Sequence, residues 1–184
     1  MDLLDFAAED MYFDEPLTLE ADHLLSRAAQ HYGTPAAEHD LLRAYFLEPE
    51  HLSVLVALYR YFYYRHCYRE ALVTADRAIA LAAARLQLPT RWQDLSESDL
   101  GRAVLISMTM TRFLLLALKG SGYLLMRLGE PAAALARFDK IAEIDSSDRL
   151  GIKELRRLAQ AAVTQAAVDR VGGNLSYFNS LANR

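Results

Sequence analysis

The chain has 184 residues, of which 53% are hydrophobic and 24% charged, with a formal net charge of −4; this suits one folded domain with a core of its own and excludes a disordered polar tail. Its single cysteine, Cys67, excludes an internal disulfide and any cysteine-rich zinc module and points to a reducing compartment. The start Met1-Asp2-Leu3-Leu4-Asp5 lacks a basic-then-apolar leader, and the apolar stretch 103–118 is broken by Arg112 and closed by Lys119, short of the roughly 18 uncharged residues of a spanning helix, so the chain reads as cytoplasmic with no membrane contact.

In chain order, residues 1–26 carry eight acids and no Lys or Arg, whereas the remainder carries 16 acids and 20 bases, 17 of them Arg. The split reads as an acidic tail that folds back on a basic groove or contacts a basic partner, or equally as a solvated extension. A net-acidic chain argues against nucleic acid as the main ligand. We assign residues 1–16 to an acidic extension, 17–171 to one helical domain and 172–184 to a flexible tail.

Apolar residues recur at spacings of three and four nearly throughout and no alternating run reads as a strand, so the fold class is all-α. Thr18 caps a helix that reaches Tyr32 and stops at Gly33. Thr34 and Pro35 start a second helix, to about Leu47. A third spans Glu50 to His66 and a fourth Arg69 to about Leu88. Residues 89–95, with the only tryptophan, Trp92, form a loop. Ser96 with Asp99 resembles a capping box for a long helix continuing to Leu128. Gly129 ends it, Glu130-Pro131 opens the next, and Ser146-Ser147-Asp148 precedes a last helix through Val171, closed by Gly172-Gly173.

Two segments resemble the tetratricopeptide (TPR) repeat, a 34-residue helix-turn-helix. In residues 52–85 Leu55 stands at the early bulky position, Leu58 and Tyr59 at Leu-Gly, Phe62 at the aromatic, Tyr68 in the turn, and Ala71 and Ala78 at the small positions. Residues 115–148 match with Leu118, Gly122, Leu125, Gly129, Ala134, Phe138 and Ile144-Asp145. The pattern is degenerate: Tyr59 replaces the small residue of helix A, His66 the turn glycine and Ala83 the closing proline, while Ser121 and Ile141 depart in the second unit. The units are also 63 residues apart, so the resemblance implies an interrupted array, a short α-solenoid or bundle with extra N- and C-terminal helices. More weakly, AYFLEPEHLSVLVALYRYFYYRHCYREAL and the stretch from Arg112 to Leu158 resemble small TPR-like proteins of nitrogen-fixing bacteria.

The resemblance implies a concave groove lined by Ser53, Val56, Arg60, Tyr63 and Tyr64 from the first unit and by Leu116, Lys119, Tyr123, Met126 and Arg127 from the second. Tyr, Arg and Met make strong interface contacts, and an Arg/Tyr groove suits an acidic helix or peptide. Tyr59 and Phe62 are expected in the core. The expected function is therefore a non-catalytic interaction module, an assembly or accessory factor with no cofactor and no metal. HExxH, GxSxG and GxGxxG are absent, and Leu118–Tyr123 lacks the phosphate-loop spacing. Two alternatives use other features: a metalloprotein built on Glu20-x-x-His23 and Glu48-x-x-His51, and a homodimer formed through the apolar face of residues 103–118.

Overall fold

Short polar residues start most of the helices. Thr18 and Thr34 each accept a hydrogen bond from the amide three residues on, at 3.4 Å, which satisfies one of the orphan donors at a helix start. They open α1 (Leu19–Gln30) and α2 (Pro35–Leu47). The computed structural model describes the backbone of residues 15–182 and the side chains of residues 15–170; the acidic extension 1–16 lies outside this range up to residue 14. Six helices follow: α3 (Leu52–Tyr64), α4 (Tyr68–Arg85), α5 (Glu97–Ile106), α6 (Met108–Arg127), α7 (Pro131–Ile144) and α8 (Ile152–Ala182), with a 3-10 turn at Trp92–Asp94. The described residues contain no strand and no helix long and apolar enough to cross a membrane.

Three boundaries differ from the sequence expectation. Helix α3 begins after His51, whose ring accepts from the Ser53 amide at 3.2 Å, so Glu50 stays in the turn. The long helix expected from Ser96 to Leu128 is two. The Ser96–Asp99 capping box forms as expected, but Ser107 leaves helical geometry (φ −158°, ψ 111°) and caps α6, with its Oγ accepting from the Met110 amide at 3.2 Å. A serine competes with the helical backbone for its own hydrogen bonds, and here it turns the chain. Lastly, Gly172 and Gly173 do not end α8, whose backbone is helical through Ala182.

Each helix packs on its neighbour in the order α1, α2, α3, α4, α6, α7, α8, with α4 against α6 and α3 against α4 the most extensive pairs. Three helical hairpins, α1/α2, α3/α4 and α6/α7, are thus stacked and closed by α8, while the Trp92 turn and α5 sit beside the seam. The last two hairpins share their turn chemistry. After α3 the amides of Arg65, His66 and Cys67 donate to Tyr61, Tyr63 and Phe62; after α6 those of Leu128, Gly129 and Glu130 donate to Leu124, Met126 and Leu125. These positions are related by the 63-residue offset. His66 at φ 59° takes the left-handed conformation that Gly129 adopts at φ 74°, at a cost of about 1 kcal/mol for a residue with a Cβ. Its Nδ1 meets the Tyr68 hydroxyl at 2.7 Å.

The equivalent positions are buried in both hairpins: Leu55 with Leu118, Phe62 with Leu125, Ala71 with Ala134, Ala78 with Ile141. Where helix A meets helix B the two hairpins place their large side chain differently. Gly122 faces Phe138 so closely that a Cβ there would lie 2.5 Å from the ring. At the offset positions stand Tyr59 and Ala75, both buried and both lining one narrow slot. The large side chain comes from helix B in one hairpin and from helix A in the other. Ser121, in place of leucine, also has a partner: its Oγ donates to Leu118 O at 2.7 Å and accepts from Arg137 Nη1 at 2.6 Å. Arg137, 7% exposed, extends to Asp76 on α4 at 2.6 and 3.0 Å and places its guanidinium 5.2 Å from the Trp92 ring centroid.

Two stability predictions follow from these contacts. Gly122→Leu should overpack the Phe138 contact and cost about 1–3 kcal/mol in urea denaturation, and adding Phe138→Ala should recover part of the loss; additive losses would refute the close contact. Asp76→Ala should cost about 3 kcal/mol because it strands a buried cation, and more than Arg137→Met, which leaves a half-exposed carboxylate free to rehydrate. The reverse order would show that the pair does not govern the seam.

Candidate partner-binding groove

Helices α1, α3 and α6 form one face of the stack. Along α3, Ser53, Val56, Arg60 and Tyr63/Tyr64 recur at three- and four-residue spacing, as do Leu116, Lys119, Tyr123 and Arg127 along α6, which places each set on one stripe. Between α1 and α3 lies an open groove of about 310 Å³, lined among others by Leu25, Ala29, Tyr32, Ala57, Arg60 and Tyr64. Arg60 also borders a narrow slot that runs past Val56 and Tyr59 to Phe113 and Ala117 of α6. Arg60 thus borders both the α1–α3 groove and the slot where α3 meets α6.

The rings gather at one end of it. Tyr63 lies 6.2 Å from Tyr59, stacked, and 5.4 Å from Tyr64, 6.1 Å from Tyr68 and 6.5 Å from Tyr123. Tyr32 lies 6.3 Å from Tyr64, edge to face. The guanidinium of Arg127 sits 4.9 Å from the Tyr68 ring centroid, and its Nη1 donates to the Tyr123 hydroxyl at 3.5 Å. This hydrogen bond, with the rings beneath, raises the Arg127 pKa above its ordinary value. Among the described residues neither Arg60 nor Arg127 makes an ion pair.

The structure thus brings Tyr63, Tyr64, Tyr123 and Arg127 together, with Arg60 and Val56 on the same face. It does not leave Lys119 available: its Nζ donates to Leu150 O at 2.6 Å, and burial pulls its pKa below the ordinary value despite Asp148 nearby. Met126, half-buried, packs on the core. Tyr59 and Phe62 are core residues, 7% and 8% exposed. The wall from α1 was missed; the spacing Leu25, Ala29, Tyr32 before Gly33 carried its signal. Tyr68 joins the cluster by stacking under Arg127.

The Glu-x-x-His strings do not converge. Glu20 pairs with Arg43 at 3.2 Å. Glu48 accepts from the Thr18 amide and hydroxyl at 2.7 and 2.6 Å; burial pushes its pKa up, but these bonds outweigh it and the net shift is downward. The described residues contain no cluster of His, Cys, Asp or Glu able to hold a metal ion. At the α5–α6 junction Leu105, Ile106 and Met108 are exposed. Arg27 holds the buried Asp40 of α2 through paired hydrogen bonds, fixing the first wall. That bond draws the Asp40 pKa below the carboxylate range against the opposing effect of burial. Ser96 and Arg102 do the same for Asp99.

The chain is 42% identical over 155 residues to an uncharacterized 19.8 kDa protein in the nifW 5′ region of Azotobacter chroococcum mcd 1, an alignment that covers 84% of this chain and 86% of that protein. The chain belongs to the same family. No protein-family model matches it, and no solved structure does.

The depressed aspartates set the acid side of the stability profile. Between the lowered folded values and the unfolded value of about 3.9 the unfolded chain binds more protons, so stability rises with pH there. The contribution of Asp40 and Asp99 is fully present above about pH 4 and is lost as the pH falls through their folded values. Thermal melts from about pH 6 to pH 2 should show the melting temperature falling below pH 4, and Asp40→Asn should flatten the fall. An identical profile in that variant would remove Asp40 from the account.

Proposed function

We propose that this member of the family is a non-catalytic, TPR-like scaffold that holds an acidic amphipathic helix or peptide of a partner protein along the α1–α3–α6 face. The observation that carries the reading is the pair Arg60 and Arg127, cations set among tyrosines on one face with no ion pair among the described residues. Such cations are available to a carboxylate, and the tyrosines offer large contact area with few rotamers to freeze. The hairpin offset, the shared turn bonds and the Gly122/Phe138 and Tyr59/Ala75 pairs support the TPR-like reading. The related protein is named for the nifW 5′ region. We extend that association to this chain, as an accessory or assembly factor whose partner is made alongside nitrogen-fixation proteins in the cytoplasm. A second reading, self-association through Leu105, Ile106 and Met108, is separated from the first by sedimentation at several concentrations.

Tagged full chain expressed in nitrogen-fixing host cells should capture a specific partner. Arg60→Ala and Tyr123→Ala should lose about 2 kcal/mol of binding or more, roughly a thirtyfold weaker Kd, while stability falls by about 1 kcal/mol or less. Variants that unfold, or that capture the partner normally, would overturn the reading.

A further inference from the structure

The chain carries a segment with the chemistry that this groove selects. Residues 1–14 hold five carboxylates (Asp2, Asp5, Glu9, Asp10, Asp14), no Lys or Arg, and seven large apolar or aromatic residues, among them Leu4, Phe6, Tyr12 and Phe13. The composition is that of an acidic amphipathic peptide, complementary to arginines set among tyrosines.

The described residues that follow fix where this segment begins. The Glu15 carboxylate meets Arg85 at 2.6 Å. The buried His51 ring accepts from the Ser53 amide through Nδ1, so its Nε2 carries the proton and donates to Glu15 O at 3.0 Å. Leu17 packs against Leu24, Ala44 and Val54, and Thr18 is held by Glu48. Residue 15 is thereby pinned at the end of the stack where α3 begins and α4 ends. From Ser53 to Tyr64 the stripe is about 16 Å long at 1.5 Å per helical residue. Fourteen residues reach about 21 Å as a helix and about 46 Å extended. Extended, the segment is long enough to run from this end of the stack past Arg60 to the tyrosine cluster.

We propose that residues 1–14 of this chain occupy the α1–α3–α6 groove in cis, as an intramolecular stand-in for the acidic segment of the partner. The inference rests on the reading of this face as a peptide groove. Tethering raises the local concentration of the segment to the millimolar range for a short linker, so even a weak contact keeps the groove filled until a tighter ligand displaces it. The five acids then act as a selectivity filter: a partner must out-compete a peptide of its own class.

The test uses a fluorescein-labelled synthetic peptide of residues 1–14 and full-length chains, read by fluorescence anisotropy. One chain is native; the other carries Leu4→Ser, Phe6→Ser, Tyr12→Ser and Phe13→Ser, which disables the segment in cis. The peptide should bind the substituted chain at least tenfold more tightly than the native one, and Arg60→Glu in the substituted chain should abolish that binding. A second full-length variant, Asp5→Asn with Glu9→Gln and Asp10→Asn, keeps the apolar residues and should also open the groove, so the test survives misfolding of the first. Equal affinity for native and substituted chains, or no binding to either, overturns the cis docking and leaves the groove to be judged by capture of the partner in Arg60→Ala. Binding that Arg60→Glu does not weaken places the peptide elsewhere and also overturns the proposal.

Discussion

The guanidinium of Arg137 is the contact on which the stack depends. Residues 86–107 separate the last two hairpins in sequence, so α4 and α6 are brought together across a long insertion and must be aligned by tertiary contacts alone. Arg137 reaches from α7 to Asp76 of α4 and Ser121 of α6 and lies over Trp92 of the inserted turn. Its value is one of register. An ion pair that is largely out of water adds little net stability over apolar residues of equal volume, because desolvation offsets the attraction, but a wrong alignment would strand a buried charge. Only one placement of α4 against α6 satisfies all of its partners, and that placement makes the α3 and α6 stripes one surface.

The same economy of packing appears at the close approach of helix A and helix B. A hairpin needs one large side chain there, not two. Phe138 supplies it above Gly122, and Tyr59 supplies it in the slot that Ala75 lines. Supplying the ring from helix A has a consequence for the groove. Tyr59 is stacked with Tyr63, so the core of the α3/α4 hairpin is continuous with the aromatic cluster on the exposed face, and the rings there rest on a rigid base. Aromatic side chains anchored in this way lose little conformational entropy when a ligand covers them.

What was legible in the sequence was local. Thr18, Thr34, Ser96 and Gly129 announce helix ends because caps act within one turn, and the apolar period of 3.6 fixes the class as all-α. The stripe carrying Arg60, Tyr63, Tyr64, Tyr123 and Arg127 was implied by the repeat resemblance, position by position. What failed was non-local or cryptic. Ser107 lies within a run of apolar residues, and whether a serine there caps a helix or bonds back within it is decided by what the next turn packs against. Lys119 stands at a groove position of the repeat resemblance, yet its ammonium donates to the carbonyl of Leu150, 31 residues on. Nothing local marks Arg137, whose partner Asp76 lies 61 residues away. Gly172 and Gly173 lower helix propensity by about 1 kcal/mol each relative to Ala, which does not by itself stop a helix already extended over many turns.

The distribution of charge follows from the same geometry. Several arginines form ion pairs that tie neighbouring elements: Arg27 with Asp40, Arg69 with Glu130, Arg137 with Asp76, Arg156 with Asp139. Against that background Arg60 and Arg127 stand out by position. Both lie on the face that carries the tyrosines, and Arg127 is held over a tyrosine ring. A cation over an aromatic face is partly desolvated without being neutralised. It keeps its full attraction for an incoming carboxylate while having less water to shed on contact.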